Sequence, residues 1–326
     1  MSAFQDGHGR RLEYLRLSVT QRCNFRCAYC LPDGCAEAPG PAPLSVPEIE
    51  RLVRAFAALG VWKVRLTGGE PAIRSDLAEI VRRVAATPGV RRVGLTTNGY
   101  RLARGVAELR AAGLSSLNVS VDSLDPARFA RLTGYPRLER IVAGVEAAVA
   151  AGFPSIKVNA VLLRGLDDAE LGRFLDWTRG QPLTVRFIEL MRTGDNAAFF
   201  EEQHVPADAL REKLEARGWA ELPRDANDGP ATNYGHPAHR GRVGIIAPYT
   251  PGFCEACNRV RASATGDLQL CLFGERAIPL RRYLQADADR EELMRVIAAA
   301  TLAKPASHRL HQGASGATRN LAVIGG

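Results

Sequence analysis

An alternation of short β-rich runs with longer amphipathic stretches constrains the fold of this 326-residue chain more than any other feature. In the longer stretches apolar residues recur every three or four positions, which is the period of a helix with one buried face. Strands and helices that alternate in this way indicate βα units and a parallel sheet. The predicted strands cover residues 14–19, 63–66, 92–96, 116–121, 156–162 and 184–189.

Each predicted strand except the last precedes a clear helix pattern. The first of these helices has a capping-box pattern formed by Ser45 and Glu48, with Pro47 near the helix start. Right-handed crossovers repeated over six units curl a sheet into a barrel or part of one. After residue 220 a stretch rich in Pro, Gly and Asn breaks the pattern. The predicted fold is therefore α/β, an incomplete TIM-like (β/α)6 barrel over residues 1–222. Residues 223–326 are predicted to form a C-terminal extension that covers the open side and includes a cysteine loop followed by two helices.

Charge and hydropathy narrow the class of protein. The chain has 43 Lys and Arg against 35 Asp and Glu, a formal net charge of +8 that favours a polyanionic partner such as nucleic acid or a nucleoside triphosphate. Uninterrupted apolar runs fall far short of the roughly 20 residues that a membrane helix needs, and the N-terminal residues lack the apolar stretch of a secretory signal. We therefore expect a cytoplasmic protein without a membrane partner.

Six of the seven cysteines fall into two groups of three, which indicates metal binding in a reducing compartment rather than disulfides. Iron–sulfur clusters and structural zinc are both held by cysteine thiolates, so ligand number must choose between them. A zinc ribbon needs a fourth cysteine near position 274, which is a glycine, and this disfavours zinc. If Cys35 does not close the first group, one iron of a cubane there stays open to a small molecule. The two groups are Cys23, Cys27 and Cys30, and Cys254, Cys257 and Cys271.

Polar and glycine motifs end the second, third and fourth predicted strands. They are LTGGEP at 66–71, TTNG at 96–99 and NVSVDS at 118–123. Barrel enzymes place their chemistry at the carboxyl ends of parallel strands. Basic residues also interrupt the apolar strands, and as a set they predict a positively charged barrel lumen. These residues are Arg16, Lys63, Arg65, Lys157 and Arg186.

The spacing Cys-x3-Cys-x2-Cys after the first strand, with Tyr29 before the last cysteine and these motifs in order behind it, resembles the radical S-adenosylmethionine (SAM) superfamily. The resemblance implies that the first three cysteines hold a 4Fe-4S cluster whose open iron binds SAM. It further implies that the reduced cluster cleaves SAM to a 5′-deoxyadenosyl radical. Contacts with SAM are implied for Tyr29, Gly69, Ser120 and Met191.

Nearly the whole chain is similar to one family of this superfamily, GTP 3′,8-cyclase, also called molybdenum cofactor biosynthesis protein A. The most specific features are the second cysteine group, Arg259 and Arg261 after Cys257, and the terminal Gly325 and Gly326. The family implies a lyase that cyclises GTP to 3′,8-cyclo-7,8-dihydro-GTP, the first step of molybdenum cofactor biosynthesis. It implies a second 4Fe-4S cluster that binds the purine, and catalytic roles for Arg259, Arg261, Gly325 and Gly326. The implied GTP contacts are Arg16, Lys63, Arg65, Thr96, Lys157, Arg186, Arg259 and Arg261.

The resemblance also implies an electron donor and hand-over of the product to cyclic pyranopterin monophosphate synthase. We expect no nucleic-acid partner, and a homodimer is left open. Two positions depart from the family. Gln21 stands where the family usually has Asp, and Cys35 lies outside the pattern, so we expect it to be no ligand of either cluster.

Two alternatives compete with the cyclase. One is another two-cluster radical enzyme that modifies a peptide or RNA, but an RNA modifier commonly carries an added module with basic and aromatic residues. Aromatic residues make up only 6% of this chain, and no such module is visible. The other is a zinc-stabilised nucleic-acid-binding protein without catalysis, which would be colourless where iron–sulfur protein is brown.

Overall fold

The computed structural model describes residues 4–35, 41–224, 229–322 and 324. Its first six strands lie where the sequence predicts them, within one residue at either end. They are hydrogen-bonded to one another in chain order and all run parallel. The predicted α/β class is confirmed. The strands are β1 (Tyr14–Ser18), β2 (Lys63–Thr67), β3 (Arg92–Thr97), β4 (Ser116–Ser120), β5 (Ser155–Leu162) and β6 (Thr184–Glu189).

The helices lie between and after these strands. At the start of the first helix the Ser45 side chain accepts a hydrogen bond from the Glu48 amide, and the Glu48 carboxylate accepts one from the Ser45 amide, so the predicted capping box is confirmed. Gly60 ends this helix with φ of 116°, a conformation that favours glycine. The helices are α1 (Val46–Leu59), α2 (Leu77–Ala85), α3 (Leu102–Ala111), α4 (Pro126–Thr133), α5 (Leu138–Ala150), α6 (Asp168–Gly180), α7 (Ala197–Gln203), α8 (Ala207–Glu215) and α9 (Arg290–Thr301).

Six short strands follow in the C-terminal part: β7 (Ala220–Glu221), β8 (Thr232–Gly235), β9 (Arg242–Ile246), β10 (Arg259–Ala262), β11 (Asp267–Gln269) and β12 (Ile278–Pro279). β9 pairs in parallel with β6, and β10 pairs in parallel with β1. The C-terminal region thus adds one parallel strand to each edge of the barrel sheet. Because one sheet runs through both regions, a domain boundary at residue 222 stays a prediction. The sequence predicted two helices after the second cysteine group, whereas α9 is the one α-helix there among the described residues.

The two faces of the sheet differ in polarity. In β5, Ile156, Val158, Ala160 and Leu162 are buried, and the residues between them are more accessible. Apolar side chains on the outer face pack beneath the helices, as where the rings of Phe174 and Phe187 meet edge to face at 5.4 Å. Period-2 alternation then directs Lys157 and Asn159 to the inner face. Among the described residues, no helix has the length and apolarity to cross a membrane.

Candidate active site

A large cavity lies inside the parallel strands and has an empty volume of about 1140 Å³. All eight parallel strands contribute residues to its wall, so the sheet curves around it. We call it the lumen cavity. β9 and β10, the outermost parallel strands, are not paired with each other among the described residues, which leaves the barrel incomplete, as predicted.

The wall of the lumen cavity is strongly basic. All eight residues predicted to contact GTP line it: Arg16, Lys63, Arg65, Thr96, Lys157, Arg186, Arg259 and Arg261. Lys304, which the sequence analysis missed, adds another cation, and the described residues of the wall include no Asp or Glu. Such a cavity suits a polyanion, because its cations repel one another until an anion is present.

Burial and this mutual repulsion act on the pKa values of the cations. Burial, with Arg186 and Arg65 nearby, lowers the pKa of Lys157 to about 7. Burial and Arg65 likewise lower the pKa of Arg186 to about 9. A bound triphosphate would reverse these shifts, because opposite charge favours the protonated forms.

Arg65 reaches the lumen beside a glycine. Its Nε donates to the Tyr14 hydroxyl at 2.6 Å, and its Nη1 donates to the Leu95 carbonyl at 3.1 Å. Gly94 is its register partner on β3, and a Cβ atom at Gly94 would lie 2.8 Å from Cζ of Arg65. The guanidinium therefore occupies space that any side chain at position 94 would take.

Arg186 repeats this arrangement on the other side of the barrel. Its Nε and Nη2 donate to Oδ1 of Asn159 at 3.1 and 2.9 Å. Its register partner on β9 is Gly244, where an added Cβ would lie 2.9 Å from Cγ of Arg186. Gly94 and Gly244 carry no chemical signature in the sequence, so only strand pairing identifies them.

Tyr14 is a further residue of the lumen cavity that the sequence analysis did not assign. The Lys63 ammonium lies 4.7 Å from the centre of its ring. Burial alone would raise the pKa of the phenol, but Arg65, Arg16 and Lys63 lower it to about 7. The phenol thus partly balances the cations around it.

A second cavity, of about 990 Å³, lies at the carboxyl ends of the strands, and we call it the loop cavity. Cys23, Cys27 and Cys30, the first triad, line it. The predicted SAM contacts line it too: Tyr29, Gly69, Ser120 and Met191. The two cavities share wall residues and therefore adjoin: these are Thr96, Asn159, Ile188 and Met191.

The cysteines of the first triad are half-buried. Burial raises the pKa of Cys23 to about 11 and that of Cys30 to about 12. Metal binding must therefore release protons from them. The backbone amides of Leu321 and Ala322 face the Cys30 thiol, so the C-terminal segment reaches the first triad. Gly325 and Gly326 lie outside the described residues.

Gly69 packs against the backbone of the loop that carries the first triad. Its amide donates to the Thr20 carbonyl at 2.9 Å, and the Glu70 amide donates to the Arg22 carbonyl at 2.8 Å. A Cβ atom on Gly69 would lie 2.2 Å from the Arg22 carbonyl oxygen, closer than atoms can approach. The glycine is therefore required for this loop, in addition to its predicted contact with SAM.

Two buried carboxyl groups, to which the sequence analysis assigned no role, connect the segments around the loop cavity by hydrogen bonds. Glu70 accepts from the Thr97 hydroxyl and the Asn98 amide, each at 2.6 Å, and joins the loops after β2 and β3. Asp122 accepts from the Tyr29 hydroxyl at 2.9 Å. Burial raises the pKa of Glu70 to about 7 and that of Asp122 to about 6. In the sequence, both could have been found from their positions in the motifs LTGGEP and NVSVDS at the ends of strands.

The second triad, Cys254, Cys257 and Cys271, lines the lumen cavity. Burial would raise the pKa of Cys257, but the Arg259 and Lys304 cations lower it to about 6. This triad therefore borders the basic cavity, whereas the first triad borders the loop cavity.

Both triads fit 4Fe-4S clusters. Cysteine thiolates are the usual ligands of these clusters, and each triad has cavity space beside it for a small molecule. In the part of the chain that the structure describes, no three or more His, Cys, Asp or Glu side chains gather to hold a single metal ion. Cys35 is exposed, and its sulfur lies 3.6 Å from the Gln21 carbonyl oxygen. Its exclusion from the clusters stays a prediction.

Comparison with known proteins agrees with this geometry. Residues 17–178 match the Radical SAM superfamily, and residues 183–310 match Molybdenum Cofactor Synthesis C. GTP 3′,8-cyclase of Stenotrophomonas maltophilia strain K279a is 56% identical over 326 residues, all of both chains. The chain belongs to the GTP 3′,8-cyclase family. The enzyme of the same name from Synechococcus elongatus is 49% identical over 327 residues, again all of both chains.

The solved structures support the fold. SuiB of Streptococcus suis bound to S-adenosylmethionine has a TM-score of 0.59 and 14% identity, covering 94% of this chain and 68% of that one. Membership in the family confirms a radical SAM enzyme of the lyase class, with 4Fe-4S clusters and SAM as cofactors, over the non-catalytic zinc alternative. The individual site residues stay predictions.

Proposed function

We propose that this chain cyclises GTP to 3′,8-cyclo-7,8-dihydro-GTP, the first step of molybdenum cofactor biosynthesis. One observation carries the proposal beyond family membership. The basic lumen cavity adjoins the loop cavity, and the two share Thr96, Asn159, Ile188 and Met191. A nucleoside triphosphate in the first cavity would therefore present its reacting carbon to the second.

The residues of the lumen cavity bind and orient the nucleotide. Arg65 and Arg186 are each more than nine-tenths buried and held by hydrogen bonds at fixed positions, which suits guanidinium groups that grip phosphate oxygens. Arg259 and Arg261 extend from β10 beside the second triad, where they balance its negative charge and that of the substrate. The enclosing strands and the C-terminal region exclude water from the reacting carbon.

The first triad holds one cluster, and Tyr29, Gly69, Ser120 and Met191 hold SAM beside it. When bound, this cofactor pair supplies the radical that takes the hydrogen atom from C3′ of GTP. The chain keeps the pair in place through the hydrogen bond from Tyr29 to Asp122 and through Asn196, whose amide donates to the carbonyls of both Tyr29 and Met191. Catalytic roles for Gly325 and Gly326 rest on the family resemblance alone, since both lie outside the described residues.

The reaction implies further partners. An electron donor must reduce the first cluster, and the cyclised nucleotide passes to cyclic pyranopterin monophosphate synthase. We keep a homodimer as the oligomeric state to test. The cytoplasm remains the predicted compartment, since the seven cysteines are free thiols that suit a reducing environment.

Anaerobic turnover tests the proposed function. Reconstituted protein is incubated with SAM, a reductant and GTP deuterated at C3′, and the products are identified by mass spectrometry. We expect 5′-deoxyadenosine that carries deuterium, together with the cyclised nucleotide, and neither product when ATP replaces GTP. Unlabelled deoxyadenosine, made equally well without GTP, would contradict the proposal.

The pKa of Lys157 predicts how GTP binding depends on pH. Below pH 7 the ammonium form is present in the empty cavity, and above pH 7 it is lost, whereas bound triphosphate favours it. GTP affinity should therefore fall as the pH rises from 7 to 9, by up to about tenfold per pH unit, with proton uptake on binding. Calorimetry in two buffers of different ionisation enthalpy measures both.

Two variants separate the groups that titrate in this range. Lys157→Arg keeps its charge and should flatten the pH dependence. Tyr14→Phe removes the phenol, which has a pKa of about 7 and whose ionisation above that pH also lowers the affinity for GTP. This variant should therefore also flatten the pH dependence. An affinity that stays constant from pH 7 to 9 in the unmodified protein would show that neither group senses the triphosphate.

A further inference from the structure

In the part of the chain that the structure describes, a buried polar atom in the middle of β4 has no hydrogen-bond partner. The side chain of Asn118 is only 5% exposed and lines the lumen cavity, and its Oδ1 has no hydrogen-bond partner among the described residues. Buried polar groups are nearly always paired, and an unpaired acceptor destabilises the fold. A side chain kept in this state inside a ligand cavity is explained if the ligand supplies the missing donor.

Strand register locates Asn118 relative to the two cavities. It pairs with Thr96 on β3 and with Lys157 on β5, so the three side chains form one row. Ser120, two residues further on the same face of β4 and roughly 7 Å away, lines the loop cavity. Thr96 lines both cavities, and its buried Oγ1 likewise has no hydrogen-bond partner within the described part of the chain. The row therefore lies at the junction of the cavities.

The chemistry of the missing donor follows from this placement. An amide oxygen accepts hydrogen bonds, so it would repel the ionised oxygens of a phosphate, which the surrounding cations bind instead. In the proposed reaction C3′ must lie at the junction, and the nearest donors to that carbon are the ribose hydroxyls. Resting on the proposed function, we infer that Asn118 accepts a hydrogen bond from a ribose hydroxyl of GTP and selects ribonucleotides over deoxyribonucleotides.

Binding of sugar analogues tests this inference. Dissociation constants of GTP, 2′-deoxy-GTP, 3′-deoxy-GTP and inosine triphosphate are measured anaerobically by equilibrium dialysis on the reconstituted enzyme. We expect unmodified enzyme to bind GTP about tenfold more tightly than the deoxy analogue that lacks the bonded hydroxyl. Asn118→Ala should weaken the binding of GTP by about the same factor and leave the binding of that analogue almost unchanged. Arg186→Met is the control variant, since it should weaken the binding of all four nucleotides by the same factor.

Stability supplies a readout that a structural role for Asn118 would not give. Asn118→Leu replaces an unpaired polar group by an apolar one of similar volume, so its melting temperature without nucleotide should equal or exceed that of the unmodified enzyme. A lower melting temperature for Asn118→Leu, with GTP binding intact, would overturn the inference.

The binding data distinguish this inference from the proposed function. One contrary result is that Asn118→Ala weakens the binding of GTP and of both deoxy analogues by the same factor, and another is that it abolishes only the preference for GTP over inosine triphosphate. Either result would show that the ribose assignment is wrong while the proposed function stands. If the unmodified enzyme does not bind GTP, both are wrong.

Discussion

Replacing Gly69 by alanine is expected to remove the first iron–sulfur site. The added methyl would overlap the backbone carbonyls of Gln21 and Arg22, which cannot move without shifting Cys23 beside them. Shifts of about 1 Å in a catalytic site lower rates by about 100-fold, and a displaced ligand loop loses its cluster as well. We expect product formation to fall at least that far, and the iron content to fall by about half, from roughly eight atoms to roughly four.

Two measurements separate this outcome from general unfolding. GTP binding should persist in Gly69→Ala, because the lumen cavity has other walls. Gly172→Ala is the matched control, since nothing lies within 4 Å of the position of its added methyl. Full iron content in Gly69→Ala would show that the loop tolerates a side chain there and that the close packing is not required.

Replacing Gly94 by alanine is expected to weaken GTP binding while both clusters remain. The new methyl would lie 2.8 Å from Cζ and Nη2 of Arg65 and 2.7 Å from the Ser116 hydroxyl. The end of the arginine is flexible, so the fold survives, but the guanidinium leaves its hydrogen bonds to Tyr14 and Leu95. A charged hydrogen bond contributes about 1.5–3 kcal/mol, so we expect a loss of affinity of about 10- to 100-fold.

Equilibrium dialysis with radiolabelled GTP measures this loss, and iron content checks the clusters. Gly105→Ala on α3 is the control, because its added methyl meets no atom within 4 Å. If the glycine acts only through the arginine, the double variant Gly94→Ala, Arg65→Met should bind GTP as tightly as Arg65→Met alone. Additive losses would mean that Gly94 has a separate role.

The sequence predicted the first six strands to within one residue at either end because apolar periodicity is a local property. It also predicted which cysteines belong together, since their spacing places them in two loops. The strand β10 was missed because it has only four residues and alternates arginine with apolar side chains. Such a segment becomes a strand through its pairing with β1, which no local pattern records.

Several functional residues had no signal that could be read along the chain. Tyr14 and Lys304 are ordinary in their local sequence, and each becomes part of the site through neighbours far away. Asn118 was visible in the NVSVDS motif but was assigned no role, because its unpaired oxygen exists only in the folded chain. Gly94 and Gly244 acquire their importance from the arginines opposite them.

By itself the sequence determined the chemistry: thiolates in two sets of three, cations within apolar strands, and a capping box at the start of α1. These depend on residue type and on short spacings, which the chain carries whether or not it is folded. Only the tertiary structure decided that one set of thiols borders the basic lumen and the other borders the strand ends, with a shared wall between them. That arrangement depends on strand order and register, because side chains far apart along the chain meet only when the sheet curves around them.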